Sequence, residues 1–151
     1  MVRWGQGEAS VRSMIEAGDL QQVSGGAANG ESLLTRASTT LESARSVLET
    51  DPDSAFVLAY DAARHALTAL LTHQGLRPTT RGGHYAVERA VKSQFGPVFR
   101  QFGALRRRRN ELEYPTRPGN DATTDEARDA VERAAEIIDD AARLLPDLGL
   151  F

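Results

Sequence analysis

The fold is decided by the stretch VFRQFGALRRRRNELEY, residues 98–114. Four consecutive arginines are common in solvated basic segments, but here apolar residues precede and follow them at helical spacing. One stripe of the resulting helix carries four apolar side chains, those of Val98, Phe102, Leu105 and Leu112. At about 100° per residue, Arg109 falls within the same stripe. The pattern predicts a packed helix with a guanidinium group on its buried side, ending just before Pro115.

Another face of this helix is polar. It collects hydrogen-bond donors and a phenol from three residues, Arg107, Asn110 and Tyr114. The buried position of Arg109 requires a partner, because burying an unpaired guanidinium group is energetically prohibitive. Glu113 or Asp61 is the expected partner.

The composition is that of one ordinary domain. With 151 residues and 40% hydrophobic content, the chain can bury a substantial core. It contains no cysteine, which excludes disulfide bonds and thiolate chemistry. No run approaches the roughly 20 apolar residues of a membrane span, and the first residues lack the apolar core of a signal peptide. These features predict a cytoplasmic protein.

Alanine and leucine recur at helical spacing along most of the chain, with almost none of the alternation typical of strands. The pattern predicts an all-α fold, an antiparallel bundle of four long helices plus one or two short helices. The long helices are expected at residues 31–50, 55–74, 98–114 and about 124–145, and the short ones at 10–17 and 84–95. The helix at 55–74 is so rich in alanine that it should be central.

Helix ends carry their own signals. Thr123 and Glu126 have the spacing of a capping box at the start of the last helix. Asp53 or Ser54 is expected to cap the second long helix, after the break at Pro52.

Residues 1–30 are predicted to be a short helix and a flexible linker, an appendage to a bundle domain at 31–151. The linker assignment follows from the glycine-rich residues 24–30. Trp4 is expected to hold the segment on the body by packing near Met14 or Ile15.

The net charge of −3 argues against a general nucleic-acid binder, but the charge is unevenly distributed. Residues 77–109 hold nine basic groups and one acidic group, about +8, and the segments before and after are about −4 and −7. Local potential governs the attraction of phosphates, so the middle third can form a site for an anionic ligand. Alternatively, the acidic segments neutralise it within the fold.

Other chemical signals are weaker. Gly82-Gly83 precedes a helix and can cradle a phosphate on free backbone amides or form a plain turn. Asp61 and His65 are four residues apart and can pair across one helical turn, as a polar contact or a catalytic dyad. The three histidines, including His73 and His84, lack metal-ligand spacing, so neither a metal nor another cofactor is expected.

Three motifs carry a family resemblance. They are Ala59-Tyr60-Asp61-Ala62-Ala63-Arg64-His65-Ala66-Leu67, Gly83-His84 and Arg109-Asn110-Glu111-Leu112-Glu113-Tyr114. With them, roughly residues 31–145 resemble the HEPN family, the higher-eukaryote and prokaryote nucleotide-binding domains. The resemblance implies a helical bundle that dimerises and binds RNA or nucleotides. Many such proteins are metal-independent ribonucleases, often toxins paired with a nucleotidyltransferase-like antitoxin.

The chain departs from the family signature at one position. That signature is an arginine, often followed by asparagine, with a histidine about four to six positions on. Here Arg109-Asn110 is followed by Tyr114, and no histidine occurs after His84. A tyrosine, with a pKa near 10, is a poor general base at pH 7 but can donate a hydrogen bond or a proton. Cleavage would therefore need Arg109 as an electrostatic clamp and Tyr114 as an acid or orienting group, with His84 or His65 brought near by the fold.

Three functions remain as alternatives. The first is a dimeric HEPN-like module of a toxin–antitoxin or defence system that binds RNA or nucleotide phosphates; its binding residues are Arg106, Arg107, Arg108, His84, Asp61 and His65. The second is an active metal-independent endoribonuclease with catalytic residues Arg109, Asn110 and Tyr114. The third is a non-catalytic protein-interaction module whose arginines meet an acidic partner. In each case some of the arginine helix also serves the fold.

Overall fold

A computed structural model describes residues 6–151. In that range the chain forms six α-helices: α1 (Glu8–Glu16), α2 (Glu31–Val47), α3 (Pro52–His73), α4 (Gly83–Phe95), α5 (Gln101–Glu113) and α6 (Thr124–Leu144). Two three-residue strands, β1 (Leu20–Gln22) and β2 (Leu76–Pro78), and three short 3-10 turns complete the described part. The predicted all-α fold class is confirmed. None of the helices within residues 6–151 is long and apolar enough to cross a lipid bilayer.

Helix α3 is the centre of the bundle, as its alanine content predicted. Its most extensive contacts are with α2 and α6. Alanines on several sides are fully buried and keep the helix thin, so its neighbours approach closely. At the start of α2 the approach leaves no room for a side chain, because a Cβ on Gly30 would stand 2.0 Å from the carbonyl oxygen of Ala69.

Two of the long helices, α3 and α6, are capped at their N-termini by a side chain. Thr123 accepts a hydrogen bond from the backbone N–H of Glu126 at 3.1 Å, which confirms the predicted cap of α6. The predicted cap of α3 is wrong, because Asp51 accepts from the N–H of Ser54 at 3.1 Å and Pro52 occupies the first helical position. Asp53 instead accepts from the N–H of Ala122 at 2.6 Å and so ties α3 to the loop before α6.

The described part of the N-terminal segment packs on the bundle. Helix α1 buries Val11 and Met14 and contacts α4. Strand β1 pairs antiparallel with β2, with Leu20 opposite Pro78. These residues therefore pack on the bundle, and a domain boundary near residue 30 remains a proposal. The predicted packing of Trp4 lies outside the described residues.

The arginine helix starts later than predicted. A 3-10 turn at Gly96–Phe99 precedes α5, because Pro97 interrupts the regular pattern. Phe102 and Leu105 are buried as expected, but Val98 lies on this turn and is 46% exposed. The predicted stripe is thus correct within α5 and wrong at Val98.

Candidate functional site

Tyr60 lies at the point where α3, α4 and α5 meet. It is fully buried, and its ring stacks on that of Phe102 with centroids 5.2 Å apart. Its hydroxyl group is 3.0 Å from Nδ1 of His84, the second residue of α4. The guanidinium carbon of Arg109, near the end of α5, lies 5.8 Å from the centre of the Tyr60 ring. The packing of α4 and α5 against α3 brings these residues together although they are far apart in sequence.

Three further residues of α3 belong to this group. Arg64 and His65 follow Tyr60 by about one helical turn, and Asp61 lies 3.8 Å from Nε of Arg64. The charge of Arg64 acts on Tyr60, His65 and His84 alike. We call the six residues the Tyr60 cluster: Tyr60, Asp61, Arg64, His65, His84 and Arg109. The predicted Asp61–His65 pairing is replaced by the contact between Asp61 and Arg64.

The two arginines of the Tyr60 cluster are only weakly paired. Among the described residues, Nε of Arg64 and Nε of Arg109 are buried without a hydrogen-bond partner. Arg109 approaches Glu113 at 3.8 Å, the partner that the sequence predicted, and Asn110 at 3.5 Å. Both distances exceed the roughly 2.7–3.2 Å of a good N–H···O hydrogen bond. The cluster therefore retains donor capacity toward an anion.

Three side chains of the cluster, those of Tyr60, His65 and His84, are held uncharged at neutral pH. Burial raises the pKa of Tyr60 to about 12, against the opposing charges of Arg64 and Arg109. Burial and then the charge of Arg64 lower the pKa of both His65 and His84 below the usual histidine value. A protonated Tyr60 hydroxyl can donate to Nδ1 of His84, which places the imidazole proton on Nε2. His84 then offers an N–H donor on the other edge of its ring.

The four consecutive arginines point in different directions. Arg106 pairs with Glu88 and lies 5.5 Å from the centre of the exposed Tyr85 ring. Arg108 faces α6 and pairs with Glu126, which raises its pKa; it also donates to the backbone oxygen of Asn120 at 3.1 Å. Arg107 is exposed. Only Arg109 joins the Tyr60 cluster, so these residues do not form one common surface.

Comparison with protein families identifies the chain. The family model described as "HEPN domain" matches residues 31–144, about three quarters of the sequence. The chain belongs to the HEPN family. No curated protein and no solved structure matches it significantly. The HEPN match covers α2 to α6 and includes every residue of the Tyr60 cluster.

Two residues that the sequence pointed to in this HEPN domain lie outside the cluster. Tyr114, in place of the usual histidine, follows the last residue of α5 and is 74% exposed. Asn110 is also exposed. Within residues 6–151, no group of three or more His, Asp or Glu side chains is arranged to hold a metal ion.

Sequence reasoning missed two members of the cluster, Tyr60 and Arg64, although both lie in the motif that carries the HEPN resemblance. A usable signal was present for Arg64, because it is the one arginine of the otherwise alanine- and leucine-rich α3. The same signal, a guanidinium within an apolar stripe, led to Arg109.

Proposed function

We propose that this HEPN protein binds phosphate groups of RNA or nucleotides through the Tyr60 cluster. The observation that carries the proposal is the pair of half-buried guanidinium groups, Arg64 and Arg109, whose buried Nε atoms have no partner among the described residues. Each guanidinium group is also partly exposed, so its remaining N–H donors can reach a bound anion. Phosphate oxygens accept from guanidinium N–H groups in charge-assisted, often bidentate hydrogen bonds.

Local charge favours the same ligand. The charge of Arg36 on α2 acts on His65, that of Arg109 acts on His84, and that of Arg64 acts on both imidazoles. Asp61 and Glu113 are the carboxylates within 4 Å of Arg64 and Arg109. The excess of positive charge attracts an anion in spite of the negative net charge of the chain. His84 adds a neutral N–H donor.

The family context extends the proposal. We propose that the protein acts as a homodimer in the cytoplasm, as part of a toxin–antitoxin or defence system with a nucleotidyltransferase-like partner. The resemblance to HEPN proteins supports this assignment. Two copies of the Tyr60 cluster in one dimer would double the positive charge that one RNA strand meets.

Metal-independent RNA cleavage is the second candidate. A neutral imidazole near Arg109 favours it, because His84 can supply the group that the family signature places after the arginine. The geometry sets a condition, however. A base at Nε2 requires the proton on Nδ1, and the buried Tyr60 hydroxyl would then lose the acceptor that it has among the described residues. Binding is consistent with either tautomer, so we place it first.

A titration of fluorescently labelled single-stranded RNA, followed by anisotropy, tests the proposal. The affinity of the full chain should fall steeply with added salt, because phosphate contacts release counterions. Arg64→Gln and Arg109→Gln should each weaken binding roughly tenfold, and competition with AMP separates a nucleotide ligand from longer RNA. Arg117→Gln is the matched control, since Arg117 is an exposed arginine of the α5–α6 loop.

Two outcomes would contradict the proposal that RNA binds at the Tyr60 cluster. One is a salt-independent affinity, and the other is an equal effect of Arg117→Gln and Arg109→Gln. Circular dichroism of each variant identifies loss of folding, which would indicate a structural role for the arginine. If the RNA is shortened with and without EDTA, and His84→Ala stops the cleavage, the second candidate replaces the first. If RNA is not bound, the protein-interaction alternative gains support.

A further inference from the structure

A groove of about 580 Å³ lies at the opposite end of the α4–α5 pair from His84 and Arg109. It is bounded by the C-terminal half of α4, the 3-10 turn Gly96–Phe99 and the N-terminal half of α5. Its volume is within the range of about 300–1,000 Å³ that is usual for small-molecule sites. We call it the α4–α5 groove.

The inner surface of the groove is apolar. Four almost fully buried side chains line it, those of Leu67, Val91, Phe99 and Phe102. On the α5 side, Gly103 admits the carboxylate of Glu88, because a Cβ at this position would stand 2.7 Å from Oε1 of Glu88. The space is therefore suited to a hydrocarbon or aromatic body of modest size.

The rim of the groove is positively charged. Residues 83–113 contain seven basic residues: Arg89, Lys92, Arg100, Arg106, Arg107, Arg108 and Arg109. Four of them make ion pairs, with Asp19, Glu88, Glu126 and Glu113. The other three, Lys92, Arg100 and Arg107, are exposed, have no ion pair within the described part of the chain, and all line this groove. Its one carboxylate, Glu88, is bound to Arg106.

We propose that the α4–α5 groove binds a small amphipathic anion, with its apolar body on the inner surface and its anionic group at Arg100, Arg107 and Lys92. The four inner side chains offer no hydrogen-bond partner. The polar edges of a nucleobase, or the backbone of a peptide, would lose hydrogen bonds to water there without replacement. An acyl or aryl body has no such groups, and the rim supplies charge-assisted hydrogen bonds to a carboxylate or sulfonate.

The test uses two probes of this chemistry on the full chain. We expect 8-anilinonaphthalene-1-sulfonate to become fluorescent with one saturable site and to be displaced by decanoate. The double variant Arg100→Gln/Arg107→Gln should weaken both probes roughly tenfold or more. The matched control is Arg77→Gln/Arg117→Gln, which removes two exposed arginines outside the groove. Circular dichroism and thermal unfolding verify that each variant is folded.

Four results would overturn the proposal. The first three are the absence of saturable probe binding, an unchanged affinity in the groove variant, and an equal loss in the control variant. Displacement of the probe by single-stranded RNA or by an acidic peptide, and not by decanoate, would also overturn it. The Arg100→Gln/Arg107→Gln variant leaves the Tyr60 cluster intact, so failure here is distinguishable from failure of RNA binding through Arg64 and Arg109.

Discussion

The Tyr60 hydroxyl lies 3.0 Å from Nδ1 of His84 and so joins the central helix to the first turn of α4. Replacing Tyr60 by Phe keeps the stacking on Phe102 and removes only this hydrogen bond. We expect the free energy of unfolding, measured with urea, to fall by about 1 kcal/mol. RNA affinity should fall a few-fold, because the His84 ring loses its orientation.

Tyr114→Phe is the control for this change, since Tyr114 is 74% exposed. We expect its stability to stay within about 0.5 kcal/mol of the parent. A loss of RNA affinity in Tyr114→Phe but not in Tyr60→Phe would contradict the placement of the site at the Tyr60 cluster.

The lowered pKa values of His65 and His84 make stability depend on pH. In the unfolded chain both imidazoles bind protons below about pH 6.5, whereas in the folded protein they do so only at lower pH. The contribution of the two neutral imidazoles to the free energy of unfolding is complete above pH 6.5. It is lost as the pH falls through the pKa values of the folded protein. Urea midpoints should therefore decrease from pH 7.5 to 5, and less so in His65→Gln/His84→Gln. An unchanged pH dependence in that variant would contradict the assignment.

Phosphate binding should have the opposite pH dependence. An anion beside His84 favours the imidazolium form, so binding takes up a proton. We expect RNA affinity to rise several-fold between pH 7.5 and 6, measured at constant ionic strength. His84→Gln should flatten this rise, whereas His73→Gln, at the other end of α3, should leave it unchanged.

Replacing Arg108 should lower the free energy of unfolding more than replacing its neighbour Arg107. Arg108 contacts Glu126, Glu111 and the backbone oxygen of Asn120, so Arg108→Gln should lower the free energy of unfolding by about 1–2 kcal/mol. Arg107 is exposed and unpaired among the described residues, so Arg107→Gln should change the free energy of unfolding by less than about 0.5 kcal/mol. Urea denaturation of both variants measures the difference, and equal values would show that the Arg108 contacts do not stabilise the fold.

Gly30 provides a test of the packing between α2 and α3. A Cβ there would stand 2.0 Å from the carbonyl oxygen of Ala69, so Gly30→Ala should destabilise the protein by about 2 kcal/mol or more. At Gly26 nothing lies within 4 Å of an added Cβ, and Gly26→Ala should be close to neutral. Thermal unfolding of the two variants compares them directly, and similar midpoints would argue against this close approach.

The long helices could be predicted because a buried stripe repeats many times within 17 to 22 residues, as in α2 and α3. The strands could not, since three residues such as Leu20–Gln22 contain no period to recognise. Their pairing depends on two segments that are more than 50 residues apart in the chain.

The candidate site was predictable in part. Arg109 carries a local signal, a cation within an apolar stripe, and the prediction that it packs inward is confirmed. The contact of His84 with Tyr60 depends on the packing of α4 against α3, which spacing along the chain does not contain. Tyr114 has the sequence distance of the signature histidine, but α5 ends at Glu113 and the backbone of Tyr114 leaves the helical path.

Phe102 belongs to two places at once, since one residue stacks on Tyr60 and lines the α4–α5 groove. A ligand in the groove that shifts the Phe102 ring would also shift Tyr60, which contacts His84. Binding of the small anion and binding of RNA would then be coupled. Thermodynamic reciprocity then requires that the factor by which the small anion changes RNA affinity equals the factor by which RNA changes the affinity for the small anion. The concentration of the small anion would in this way regulate RNA binding at the Tyr60 cluster through a single aromatic ring.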